Sequence, residues 1–237
     1  MKIRYILSSV ALASLSLTSC SDLDTAPEGN IITSDKKGEI LEEMPERGLA
    51  GVRAIFQGLS AYEPNYEAFG KIERHNDIGY PSVLMFTDAN TEDVVSDPNG
   101  YNWNENSLDY SDRTYTSYES QMVWNDHYNA IYVANTVIKG YNTGEDPTNE
   151  EARFFYAQGL AARAYFYFNL AQLYQFTYKD NETKPCIPVV TDENTAKSQV
   201  EGTPCSTVEE TYTQIKSDID HAITLLEGTS YEREDKR

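Results

Sequence analysis

Side chains suited to packing recur at helical spacing along most of this chain. Trp124, Tyr128, Ile131, Asn135 and Ile138 follow one another at intervals of four and three, which sets them on one face of an α-helix. Gly140, directly after Lys139, predicts the end of that helix, because glycine takes the left-handed conformation that frees the last carbonyls to pair. A turn rich in Gly, Asn and Pro follows. Thr148 with Glu151 then predicts a capping box at the start of the next helix. From Phe154 to Phe176 the chain is apolar or aromatic on nearly every side, interrupted by Gln158, Arg163, Asn169, Gln172 and Gln175. That pattern predicts an inner helix covered around most of its girth, and the polar interruptions argue against a membrane span.

Two further stretches carry stripes. Leu49, Val52, Phe56 and Leu59 predict a helix over 45–59, with Pro45 in its first turn. Ser206 with Glu209 predicts a second capping box, followed by Val208, Tyr212, Ile215, Ile219, Ala222 and Leu226 on one face. Only the short charged segment Tyr231 to Arg237 comes after it. A stripe without a following helix is an exposed apolar patch, so the chain is expected to be part of a longer one. Between Ser60 and Tyr118 the helical period disappears, while Gly, Pro, Asn, Asp and aromatic residues accumulate. Long surface loops are predicted there, with a short strand over 83–86. Loops of that length in a compact domain are usually the ones that carry recognition.

The first residues have another purpose. Lys2 and Arg4 precede an apolar run from Ile6 to Leu17 that is too short to span a bilayer, and Leu17-Thr18-Ser19-Cys20 closes it. This is similar to the lipobox of bacterial lipoproteins. The resemblance implies a signal peptide over 1–19 and lipidation of Cys20; the alternative is an ordinary leader followed by a free or disulfide-bonded cysteine. Ser21-Asp22-Leu23-Asp24 resembles the acidic tag that sends Bacteroidetes lipoproteins to the cell surface. Residues 20–38, with Pro27 and Gly29, read as a lipidated tether. Loss of Lys2 and Arg4 with the leader lowers 19 basic residues to 17 against 38 acidic ones, a net of −21. So acidic a body is unsuited to nucleic acid, which needs clustered Lys and Arg.

Little else in the sequence points to catalysis or metals. His75, His127 and His221 are too far apart for a zinc motif. Asp88, Asn90, Glu92, Asp93, Asp97 and Asn99 offer oxygen ligands without the regular spacing of a calcium loop, and a solvated acidic loop is the plainer reading. No phosphate-binding glycine loop or serine elbow is present, and no cofactor or metal is expected. Acidic residues are abundant, but abundance does not make the paired carboxylates of a glycoside hydrolase. Cys186 and Cys205 flank a polar segment; they form either a disulfide that closes a surface loop or two thiols.

Trp124, Tyr128, Ile131 and Asn135, then Glu151-Ala152, Arg163-Ala164-Tyr165-Phe166, Leu170, Tyr174 and Ile187-Pro188-Val189 resemble the SusD/RagB family. Thr203, Val208, Glu209, Tyr212, Ile215, Asp218, Ile219, Ala222 and Leu226 continue the likeness. The resemblance implies a mainly α fold of tetratricopeptide-like helix pairs with long irregular loops. Residues 39–237 would form its N-terminal helical region, with a loop insertion over about 60–118 and the C-terminal half missing. It also implies a non-enzymatic surface lipoprotein of the outer membrane. Such a protein binds oligosaccharide or polysaccharide and hands it to a TonB-dependent transporter of the SusC kind. The alternatives are a structural partner of the transporter with no ligand site of its own, and a glycoside hydrolase. Sugars pack C–H faces on aromatic rings and need amide or carboxylate partners for their hydroxyls. Tyr101, Asn102, Trp103 and Asn104 supply both kinds within four positions, and Arg74, Tyr80 and Asp88 lie in the same loop region as candidate hydrogen-bonding residues.

Overall fold

A computed structural model describes residues 34–60, 79–94 and 104–229, with the side chains of 34, 35 and 56–60 excepted. The leader, Cys20 and the first part of the tether lie outside them. Eight α-helices are described: α1 (Ser34–Glu43), α2 (Gly48–Ser60), α3 (Tyr80–Ala89), α4 (Glu105–Leu108), α5 (Tyr118–Tyr141), α6 (Glu150–Tyr174), α7 (Thr195–Glu201) and α8 (Val208–Leu226), with a short 3-10 turn at Pro45–Arg47 before α2. Among the described residues no strand occurs beyond the single antiparallel bridge of Pro185 with Thr207, and no helix is long and apolar enough to cross a membrane.

The fold is organised around α6, which packs against α5 on one side and α8 on the other. Phe155, Leu160, Phe166, Tyr167 and Leu170 are buried along it, and Ile131, Ala134 and Ile138 of α5 meet them in one core. The inner-helix expectation holds for most of its girth. Tyr165, Phe168 and Leu173 on the remaining face are exposed among the described residues. The helices α1 and α2 cover the other flank of α5. Close approach sets two glycines there. A Cβ on Gly48 would lie 1.7 Å from the Tyr141 hydroxyl, and one on Gly140 would lie 2.8 Å from Leu41 Cδ1. Gly140 is therefore a packing glycine inside α5, not its stop; the helix runs to Tyr141, and Asn142 caps it.

Other boundaries differ from expectation for similar local reasons. Thr148 does not cap α6, because its hydroxyl donates to Glu42 of α1; Asn149 takes the role, its Oδ1 accepting from the N–H groups of Glu151 and Ala152. The capping box of α8 is Thr207 with Glu210, one residue later than predicted. Ser206 is held in extended pairing instead: its carbonyl accepts from the Cys186 N–H at 2.7 Å and its N–H donates to Ile187 at 2.9 Å. The segment 83–86 is helical, not a strand. Pro81 suits the first turn of α3, and Ser82, Val83, Phe86 and Ala89 are buried at helical intervals. The helix α1 begins at Ser34, so Ser34 to Gly38 of the stretch read as tether are helical. Cys186 and Cys205 are free thiols, the first buried and the second exposed.

A polar junction ties the layers together. Arg163 of α6 donates from Nε and Nη2 to both carboxylate oxygens of Asp218 on α8, each at 2.8 Å. Its Nη1 reaches Asn135 Oδ1 of α5 at 2.8 Å and Asp192 at 2.9 Å. Burial opposes the guanidinium charge, but the two carboxylates outweigh it and hold Arg163 above its ordinary value. The Ile187-Pro188-Val189 segment is strapped on alongside, with the Tyr128 hydroxyl donating to Pro188 and the Tyr167 hydroxyl and Asn135 Nδ2 both donating to Val190.

Burial raises the phenols of Tyr128, Tyr141, Tyr156, Tyr167 and Tyr174 above the ordinary 10.0, Tyr156 to about 12. An unfolded tyrosine ionises first. The stability these groups lend is therefore complete below pH about 10 and is lost as pH rises through their higher folded values. Urea midpoints should fall steeply above pH about 10, with tyrosinate absorbance and loss of helix rising together. Phenols titrating at the ordinary value in a chain that stays helical would contradict this packing.

Candidate functional site

A cleft of about 1060 Å³ opens between the end of α3, the segment 112–117, the first turns of α5 and the end of α6. Asn90, which caps α3, is its hub: Nδ2 donates to Phe86 at 3.0 Å and to Asp112 Oδ2 at 2.9 Å, while Oδ1 accepts from Arg113 Nε at 3.1 Å. The short α4 brings Ser107 Oγ to the same Asp112 oxygen at 2.7 Å and Asn106 Nδ2 to Glu119 Oε1 at 3.2 Å. Both carboxylates are buried on the cleft wall. Tyr110, at a left-handed φ of 63°, turns the chain back toward α3, and the Arg113 guanidinium lies 4.1 Å over its ring.

The aromatic side of the cleft comes from α5 and α6. Trp124 packs 4.6 Å from Tyr128 and edge-on to Tyr174 at 5.2 Å, and the Tyr174 hydroxyl donates to the Ser120 carbonyl. Ser117 caps α5 by accepting from the Ser120 N–H at 3.1 Å. Tyr115, at the mouth, is 97% exposed. Half-covered rings beside amide, hydroxyl, carboxylate and guanidinium groups are the combination that holds a polyhydroxylated ring. A second cavity of about 490 Å³, between α1 and the 143–148 turn, is lined by Glu39, Glu42, Glu145 and Asp146; Tyr141, its one aromatic, is buried, so it offers no open ring face.

Of the residues singled out in the sequence, Arg74, Tyr101, Asn102 and Trp103 lie outside the described residues. Asn104 caps α4 through its carbonyl, which accepts from Leu108. Tyr80 starts α3; its ring packs against His127 and Phe166, and its hydroxyl meets that of Tyr165. Burial raises its phenol well above the ordinary value. Asp88 is exposed on α3. These three residues do not line the cleft. Asn90 was named only among the oxygen ligands weighed for calcium; Arg113, Tyr115 and Glu119 were not singled out, and for Arg113 and Tyr115 the one hint was the accumulation of aromatic and polar residues before Tyr118. Trp124 was assigned to the packed face, which it shares with the cleft. His127 is buried among Tyr80 and Phe166, and His221 pairs with Asp146 at 2.8 Å. Among the described residues no group of three or more His, Cys, Asp or Glu side chains is placed to hold a metal ion.

A family model described as SusD-like, starch-binding associating with outer membrane, matches residues 78–237. The chain belongs to this SusD-like family. Its fold is similar to that of a SusD-like carbohydrate binding protein from Bacteroides vulgatus ATCC 8482, with a TM-score of 0.64 and 23% identity over 81% of this chain and 37% of that one. A SusD superfamily protein from Bacteroides thetaiotaomicron VPI-5482 matches with a TM-score of 0.42 and 18% identity over 76% of this chain and 37% of that one. This SusD-like chain thus spans little more than a third of the length of those structures. No curated protein matches it.

Proposed function

We propose that this SusD-like chain is a lipid-anchored, surface-exposed outer-membrane protein that binds nutrient glycans and passes them to a TonB-dependent transporter of the SusC kind, without itself cleaving them. The observation that carries the binding part is the cleft in which Trp124, Tyr174 and Tyr115 stand beside Asn90, Asp112 and Arg113, in a chain whose family is described as starch-binding. Anchoring at Cys20 and the acidic tag after it rest on the amino-terminal pattern, and delivery to a transporter rests on the family resemblance. Trp103, with Tyr101 and Asn102, is proposed as a further aromatic contact, since it directly precedes the segment that leads into α4. Arg74, and outside this cleft Asn104, Tyr80 and Asp88, are candidate hydrogen-bonding residues.

Tyr115→Ala tests the cleft at little structural risk, because the ring is almost wholly exposed. Loss of one stacked ring should weaken retention on the preferred glycan about five- to tenfold, or about 1–1.4 kcal/mol. Equal retention by variant and wild type on every glycan the wild type binds would remove Tyr115 from the site. Depletion of glycan with no new reducing ends is expected; product formation would favour a hydrolase.

A second reading, a transporter partner with no ligand site of its own, has one observation in its favour. Tyr165, Phe168 and Phe176 are exposed, Phe176 at 81%, and aromatics of that kind anchor protein contacts. Co-purification of a β-barrel protein together with no retention on any glycan would select it.

A further inference from the structure

We propose that the cleft selects uncharged, hydroxyl-rich glycans over uronate polymers, the Asp112 and Glu119 carboxylates turning the uronate away while Arg113 is the donor to the neutral sugar. The inference deepens the glycan-binding reading and rests on it. Arg113 is exposed at the cleft yet pinned, with Nε on Asn90 Oδ1 at 3.1 Å, Nη2 on the Asn90 carbonyl at 3.3 Å, and its carbon 4.1 Å over the Tyr110 ring. A side chain ordered in advance spares the ligand that cost, and its planar fork aims N–H groups in fixed directions. Nη1 makes no hydrogen bond or ion pair among the described residues. It is the group left to donate to a ligand.

A lone guanidinium beside aromatic rings suggests a carboxylate ligand, but the charges around it argue otherwise. Asn90, which accepts from Arg113, donates to Asp112, so a carboxylate stands one amide away from the guanidinium. Glu119 adds a second buried carboxylate to the same wall. The cleft thus sets two fixed negative charges against one positive charge, in a chain of net charge −19. The cleft opens to solvent at Arg113, so this repulsion is strongest at low salt. A uronate would gain the fork and meet both acids. A neutral sugar meets no such penalty: its hydroxyl and ring oxygens accept from Nη1, its hydroxyls donate to the carbonyl and carboxylate oxygens near Asn90, and its C–H faces rest on Tyr115 and Trp124.

The test measures retention of the full chain in detergent on beads carrying amylopectin, galactomannan or xyloglucan, and on beads carrying polygalacturonate or alginate. At low salt, at least one neutral polymer should retain the wild type about tenfold more strongly than either uronate polymer, and salt should narrow the gap. Arg113→Gln and Arg113→Lys should each lower retention on that neutral polymer about tenfold, the lysine variant because it keeps the charge and loses the fork. Equal or stronger retention on a uronate polymer overturns the neutral class while leaving the glycan-binding reading intact. Wild-type retention by a folded Arg113→Gln chain overturns the role of Arg113. Retention on no polymer at all overturns the glycan reading and this inference together. The neutral-against-uronate comparison uses the wild type alone, so it decides the ligand class even where a variant does not fold.

Discussion

Replacing Arg163 by Ala is expected to lower the unfolding free energy by about 3–5 kcal/mol, the usual cost of removing one partner of a buried ion pair. The side chain is buried, and its donors serve Asp218, Asp192 and Asn135 from three different parts of the fold. Without it, two carboxylates stay at a junction with no cation to balance them. Against a typical total of about 5–15 kcal/mol, such a loss is visible as a large shift of the urea midpoint followed by circular dichroism. Arg163→Lys should recover only a small part of it, because an ammonium cannot make the bidentate contact with Asp218. A midpoint within about 1 kcal/mol of wild type would show that the junction is not what joins α8 to α6.

Phe166→Ala is expected to cost about 3–5 kcal/mol, the range for emptying a buried aromatic site. Its ring is fully buried and stands edge-on to His127 at 5.3 Å, to Tyr165 at 5.4 Å and to Tyr80 at 6.4 Å. It therefore fills the space where α3, α5 and α6 converge, and the neighbouring rings are too rigid to collapse onto a methyl group. Phe166→Leu keeps most of the volume and should cost less than about 1.5 kcal/mol. The two variants together separate volume from ring contact. A loss below about 1 kcal/mol for the alanine variant would remove α6 from the centre of the core.

The sites of these two variants also show what was legible in the residues alone. Helical spacing over 124–138, 154–176 and 208–226 is enough to place α5, α6 and α8 in order, and their likeness to SusD/RagB proteins agrees with the family that matches residues 78–237. The exceptions arise where a distant partner overrides a local preference. Thr148 has the sequence signature of a cap, yet Glu42 takes its hydroxyl and Asn149 caps instead. Nothing within a few residues of Thr148 announces a carboxylate from α1. The strand expected over 83–86 fails for the opposite reason. Val83 and Phe86 suit a strand when read alone, but with Ser82 and Ala89 they form a helical face buried against α2 and α5.

The candidate site was legible only as a region. Aromatic and polar residues accumulate between Ser60 and Tyr118, which marks that region for recognition, but composition cannot say which of them converge. Arg113 has no sequence signature; it matters because Asn90, 23 positions earlier, holds its guanidinium at the cleft. Trp124 belongs to a packed stripe by spacing and to the cleft by geometry: it packs on Tyr128 and Tyr174 yet stays half-buried, part of it facing the cleft.

By itself the sequence determined the long elements: hydrophobic period acts within a turn or two of the chain, so it declares α2, α5, α6 and α8 and their order, while the cap and glycine signals missed their positions. The tertiary structure alone decided how those helices are turned. The α8 stripe, expected as an exposed patch, is instead turned inward against α6 at Val208, Ile215 and Ala222, and Asp218, at 2% exposure, also faces inward and leaves Ile219 at 43%. A hydrophobic period cannot foresee that rotation, because it follows from a buried arginine on another helix whose charge must be met by a carboxylate. The cleft has the same origin, since its walls come from segments that are far apart in the chain and meet only when the core closes.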